Sequence, residues 1–274
     1  MIKDFEDTDV HMSLSIRRVS ENSMHYRESG EDSDVQLVFL SGGLSPAVWK
    51  HQERYFSKKY LTVRYRPTVS FRDYRGEESA LNAVLDQKHI DNAVLVSHFM
   101  GNSLAQSMEK RDDVKATVLT SPAQELSAVS SSKMIGLAKS LTYRWPKLFR
   151  KLLMADETGY DTARTLWKDI DSPETEDIRS FLRNHSLREP RKKSLVIHPC
   201  EGRFSSLDLA RDMSSGCGPS CLRETGSLAF YEKPGEYNKA LHDFMGSLKT
   251  RETGNRSLTE FEERLEKVRK KVKV

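Results

Sequence analysis

An α/β architecture is predicted: a mostly parallel central sheet, helices on both faces and a helical insertion. Three observations predict it. Short apolar runs recur at Val35–Leu40, Tyr60–Tyr65, Ala93–Val96, Ala116–Leu119 and Leu195–His198. Strands buried on both faces read as continuous runs of this kind. Helix-patterned segments separate them, as β/α alternation requires, and the longest gap, about 124–192, carries helical periodicity only.

Taken in order, His11–Val19 and Ser23–Arg27 read as an opening β-hairpin. Val35–Leu40 is a core strand, followed by Ser41-Gly42-Gly43 and a helix carrying Trp49 and Gln52. Tyr60–Tyr65 is the next strand and stops at Arg66-Pro67. Residues 77–87 place Ala80, Leu81, Val84 and Leu85 at helical spacing. Ala93–Val96 is a strand that leads through a sharp turn into a helix start at Gly101–Ala105. Ala116–Leu119 ends at Ser121-Pro122. The insertion repeats apolar residues at helical spacing, for example Met134, Leu137, Ala138 and Leu141, and later Ile178, Phe181 and Leu182. Ser172-Pro173-Glu174 suits a helix start with proline in the first turn. The expected organisation is 8–123 and 193–250 for the two parts of the core, 124–192 for the insertion and 256–274 for a C-terminal amphipathic helix.

Composition excludes several classes. With 44 basic and 40 acidic residues in 274, the excess of +4 gives no case for nucleic acid. No apolar run reaches 18 residues, so no membrane span is expected. The charged start Met1–Asp7 lacks the apolar centre of a signal peptide, which makes a cytoplasmic protein the default expectation. Three cysteines cannot all pair within one chain: Cys200 follows a core strand, and Cys217 and Cys221 sit in a turn-rich stretch. A disulfide or a metal site with His198 is conceivable there, but free thiols are the expectation, with no metal and no cofactor.

The segment Ser97-His98-Phe99-Met100-Gly101 resembles the nucleophile elbow of the α/β-hydrolase family, G-x-S-x-G on a strained strand-to-helix turn. Ser41-Gly42-Gly43 resembles its His-Gly oxyanion loop, Trp49 and Gln52 its W-x-x-Q, and Glu232–Asn238 its E-x-P-x-x-F-N. The resemblance covers roughly residues 10–250 and implies the α/β-hydrolase fold, with the insertion as a helical cap.

The same resemblance implies a triad, and each position departs from it. The nucleophile position is Phe99, which has no lone pair to attack with. In His198-Pro199-Cys200-Glu201-Gly202 the acid position falls on Gly202, with Glu201 and Glu125 as displaced candidates. The histidine position, five residues before Glu232, falls on Ser227, and His242 comes too late. Ser97 and Ser103 flank the apex in structural roles, and His98 is read as a core histidine rather than a base. Ser41, Gly42, Gly43, Leu44, His98, Phe99 and Met100 are the candidate pocket and oxyanion-loop residues. Losing all three triad members removes the mechanism as a unit.

The expected function is therefore a catalytically inactive member, a pseudohydrolase, keeping a lidded pocket for a small apolar ligand or a protein partner. Phe99 forms its floor, and Tyr143, Trp145 and Trp167 are candidate contributors from the cap. The alternative is an enzyme with relocated chemistry that uses Cys200 as nucleophile, with His198 or His98 as base. At the C-terminus, Leu258, Phe261, Leu265, Val268 and Val272 form one apolar seam after a capping box at Ser257–Glu260. Docking on its own domain and self-association are its two candidate roles. Deletion after Lys249 is expected to lower Tm at constant mass in the first case, and to reduce a dimer to a monomer in the second. Thermal melts with light scattering decide, and no change in either refutes both roles.

Overall fold

The computed structural model describes residues 25–42, 44–66, 74–122, 146–168, 187–203, 205–215 and 218–248. Seven strands form one sheet: β1 His25–Ser29, β2 Gln36–Leu40, β3 Thr62–Arg66, β4 Ala93–His98, β5 Val114–Thr120, β6 Lys193–Pro199 and β7 Ser220–Leu222. Their order is β1-β3-β2-β4-β5-β6-β7, with β1 antiparallel to β3 and the other pairs parallel. The expected opening arm Ser23–Arg27 is displaced to β1, and His11–Val19 lies outside the described residues.

The strands' apolar runs divide by parity. Leu37, Phe39, Val94, Val96, Leu195 and Ile197 enter one core cluster, whereas Val38, Leu40, Ala93, Leu95 and Val196 enter the other. Each strand thus buries both faces, as the sequence pattern requires. Against the second face pack α2 (Tyr74–Gln87), α3 (Gly101–Ser107) and α6 (Leu207–Asp212), through Leu81, Leu85, Leu104 and Leu209. Against the first pack α1 (Lys50–Phe56), α7 (Ala229–Glu232) and a helix over 234–248, α8. Between β5 and β6 the described residues include α4 (Pro146–Leu153) and α5 (Tyr160–Lys168), which join the same cluster through Phe149, Leu153, Ala163 and Leu166. The short elements β7 and α6 are not read from the sequence: three and six residues are too few for periodicity to register.

Two sequence motifs separated by about 180 residues meet in the first face. The Trp49 ring stacks on Phe230 with centroids 4.1 Å apart. The Gln52 amide donates to the Phe230 carbonyl at 2.8 Å and to Asn238 Oδ1 at 3.1 Å. At the other edge, Arg64 and Glu53 form a buried ion pair at 3.0 Å, and Ser29 donates to the same carboxylate at 2.6 Å. A paired and hydrogen-bonded charge of this kind is the tolerated form of buried charge.

The turn after β2 runs directly beneath the turn after β4. Gly42 has φ +59°, and a Cβ there would stand 1.9 Å from the His98 carbonyl oxygen. Left-handed backbone costs an L-residue about 1–2 kcal/mol before any clash. Gly42→Ala is expected to cost upwards of about 3 kcal/mol, a Tm loss of roughly 6 °C or more. Chemical denaturation of the variant checks this, and a wild-type midpoint would show that the two turns are not locked.

Candidate functional site

The C-terminal ends of β2, β4, β5 and β6 converge on one edge, where ligands bind in open α/β sheets. There, β4 delivers Phe99 on a left-handed backbone, φ +47°. A non-glycine residue in this region is strained, and an aromatic one is an outlier. Hydrogen bonds hold it: Phe99 N–H donates to the Thr120 carbonyl at 3.2 Å, and Asn102 N–H to the Phe99 carbonyl at 3.1 Å. Ser97 Oγ donates to Asn102 Oδ1 at 2.7 Å, and the Asn102 amide donates to the Thr120 carbonyl at 3.0 Å. Ser103 Oγ donates to the Met100 carbonyl at 3.2 Å. Ser97 and Ser103 therefore spend their hydroxyls on the turn and the first helical turn.

Phe99, Gly202 and Ser227, the residues expected at the three triad positions, are placed as follows. Phe99 is 7% exposed and belongs to the core cluster that includes Phe149, Leu153, Leu228 and Phe230. Gly202 closes a turn through its N–H to the Pro199 carbonyl at 3.1 Å, and a Cβ there would meet the Pro199 ring at 2.6 Å. Ser227 is fully buried, its carbonyl accepting from Ser121 Oγ at 2.9 Å. The displaced candidates are arranged differently. Glu201 is exposed, His242 is half-exposed on α8 and 3.9 Å from Asp243, and Glu125 lies outside the described residues.

Glu232 is the site residue whose role the sequence motif did not disclose. Its carboxylate accepts the Gly226 N–H at 2.8 Å and the Ala155 N–H at 3.0 Å, joining the Ser227 loop to the end of α4. Burial pushes its carboxyl up, while those two N–H groups oppose the shift. The contact is tight enough that a Cβ on Gly226 would stand 2.4 Å from the Met154 backbone.

Two polar side chains around the turn, Ser41 Oγ and Ser227 Oγ, are buried without a hydrogen-bond partner among the described residues, and the buried His98 ring has only the Ser227 backbone beside it as a polar neighbour. The His98 ring packs edge-on against Phe230 at 5.1 Å and beside Phe99 at 6.0 Å. Burial drives its pKa down to about 3, and the nearby Ser227 backbone offsets only part of that. The imidazole is thus neutral at pH 7, with one N–H to give and one nitrogen to accept. Of the oxyanion-loop candidates, Leu44 N–H is already donated to the Ser41 carbonyl at 3.1 Å, Met100 is buried, and Gly43 lies outside the described residues. Tyr143, Trp145 and the side chain of Trp167 lie outside them too.

Cys200 stands exposed after β6. Burial of its sulfur and the Cys221 thiol push it up rather than down. His198 directs Nδ1 to Ser205 Oγ at 3.2 Å. The described residues contain no cluster of three metal-ligating side chains, and none of their helices is long and apolar enough to cross a membrane. A cavity of about 380 Å³ lies on the other side of the sheet, lined by residues of α2, α3, the 108–110 turn and 188–191 that include Tyr74, Glu109 and Arg191.

No protein-family model matches the sequence, and no curated protein does. Solved structures do resemble it. A thermophilic esterase from Thermogutta terrifontis superposes with a TM-score of 0.66 at 12% identity, covering 86% of this chain and 97% of its own. A bromoperoxidase from Bacillus anthracis gives 0.68 at 14%, covering 85% and 100%. The enol-lactonase from Burkholderia xenovorans LB400 gives 0.67 at 12%, covering 81% and 96%. The chain has the α/β-hydrolase fold.

The buried imidazole has a thermodynamic signature. Below about pH 6.5 the unfolded chain protonates His98 while the folded chain does not until about pH 3. Stability contributed by neutral His98 is therefore complete above pH 6.5 and is lost as pH falls, by up to about 1.4 kcal/mol per unit. The Tm difference between wild type and His98→Leu is expected to shift against wild type from pH 7 to pH 4.5. Thermal melts across that range check it, and a pH-independent difference would contradict a neutral buried imidazole.

Proposed function

We propose that this chain is a non-catalytic protein on the α/β-hydrolase scaffold, a pseudohydrolase. Its elbow edge, beneath a helical cap formed by the 124–192 insertion, holds a small, uncharged amphipathic molecule. The observation that carries the reading is Phe99 at the apex of the strained turn. That turn exists to present a side chain at the sheet edge, and a phenyl group presents only an apolar face. Gly202 and Ser227 at the other two positions support it, because neither supplies a charge or a base. Ser41, His98 and Ser227 offer neutral hydrogen-bonding groups beside Phe99, Met100 and Phe230, a combination suited to an apolar body with a hydroxyl or carbonyl head. The same apolar edge suits a protein partner less well, since its residues are buried under α4.

The relocated enzyme using Cys200 is the weaker reading. A reactive thiol has a lowered pKa and a neighbouring base. Cys200 is raised, and His198 turns its Nδ1 to Ser205 instead.

Short acyl esters are expected to turn over at background, and a fluorophosphonate probe to leave the protein unlabelled. Phe99→Ser alone is expected to change neither result, since a serine without a base is a weak nucleophile. The triple change Phe99→Ser, Gly202→Asp, Ser227→His is the stronger test of the assignment, although the Pro199 ring must shift for it. Decanol is expected to raise Tm where decanoate does not, as an uncharged site requires. Robust ester hydrolysis that survives Ser97→Ala and Ser103→Ala refutes the reading, as does a Tm rise with decanoate alone.

A further inference from the structure

We infer that the cavity on the second face of the sheet, between α3 and residues 188–191, is a binding site for a small polyol carrying a phosphate monoester, separate from the elbow edge. Its volume of about 380 Å³ is that of a small-molecule site. Its walls are fixed by polar contacts between segments far apart in the chain. The Gln106 side chain clamps the Arg188 backbone, accepting its N–H at 2.9 Å and donating to its carbonyl at 2.7 Å. Glu109, only 3% exposed, accepts the Arg191 N–H at 2.7 Å and the Thr117 hydroxyl at 2.8 Å. The Tyr74 hydroxyl donates to the Ser103 carbonyl at 2.6 Å and holds α2 to α3. Arg188 and Arg191 are thus anchored by their main chains, and these contacts make no use of their guanidiniums.

The lining carries three cations and three carboxylates, and their pairing decides what it can bind. Lys110 is paired with Glu78, and both Glu109 oxygens accept hydrogen bonds from the protein. Arg188, Arg191 and Glu189 remain, their side chains without a hydrogen bond or ion pair among the described residues. The two arginines are three positions apart, so their Cα atoms lie within about 11 Å of each other and both side chains can reach one oxyanion. The planar guanidinium fork matches the oxygens of a phosphate. Glu189 repels a bare anion but accepts a hydroxyl hydrogen bond. The ligand that satisfies all three carries a phosphate for the arginines and hydroxyls for the carboxylate. A lining with equal numbers of both signs exerts little long-range pull on inorganic phosphate, so affinity rests on these contacts.

Isothermal titration calorimetry of the whole protein with glucose 6-phosphate, glucose and inorganic phosphate tests the site. Glucose 6-phosphate is expected to bind once per chain, inorganic phosphate at least about tenfold more weakly, and glucose not at all. Arg188→Gln and Arg191→Gln are each expected to weaken glucose 6-phosphate by roughly tenfold or more, as loss of charge-assisted hydrogen bonds implies. The double change is expected to abolish binding at wild-type Tm, because the Gln106 and Glu109 contacts are to backbone. Lys239→Gln, which removes one exposed cation from α8 on the opposite face, is expected to leave binding unchanged. If the double change lowers Tm, the two single variants decide. No binding of glucose 6-phosphate, binding undiminished in both single variants, or equal affinity for inorganic phosphate overturns the inference.

Discussion

The left-handed backbone of Phe99 is the constraint around which the sheet edge is arranged. Its φ of +47° stores roughly 1–3 kcal/mol that other contacts must offset. Those contacts are the Ser97–Asn102–Thr120 hydrogen bonds from within, and the β2 turn from below. Only glycine fits at 42, where the chain passes within touching distance of the His98 carbonyl. Gly101 is similarly crowded, its Cβ position lying 2.9 Å from the Leu40 carbonyl. The turn is kept sharp although the residue it presents cannot react as a nucleophile.

A second set of interactions fixes what surrounds the turn. Gln52 links α1 to α7 and α8, and the Trp49–Phe230 stack fills the space between them. Glu232 binds the Ser227 loop to the end of α4 through two backbone N–H groups. The Tyr237 hydroxyl meets Thr120 at 2.6 Å and secures α8 to the end of β5. Each is a buried polar contact between segments far apart in the chain, worth more as geometry than as energy. Together they close the helices over the apex and leave it apolar.

The chemistry of the edge follows from charge. His98 is neutral because burial penalises the imidazolium, and Ser41 and Ser227 are neutral by nature. Glu232, at the end of α7, has its carboxylate committed to backbone N–H groups. On the function proposed above, such an edge recognises uncharged polarity, whereas the cavity on the other side of the sheet is lined by charges of both signs. The β6–β7 edge is separate again and carries the exposed Cys200 and Cys221.

The sequence by itself determined the strand and helix framework, because burial on both faces produces apolar runs and helices produce their own period. It placed six of the seven strands, the first displaced by two residues, together with the turn at Phe99 and the motifs at Trp49–Gln52 and Glu232–Asn238. It ended β4 at Val96, two residues short, because Ser97 and His98 are polar in composition yet buried in place. It missed β7 and α6 because short elements carry no periodicity. Tertiary structure alone decided which distant groups meet. It set Ser41, His98 and Ser227 around one apex and gave Glu232 its two donors. Local pattern reports which face of a segment is buried. What that face touches is settled by strand register and chain crossings, which no local pattern encodes.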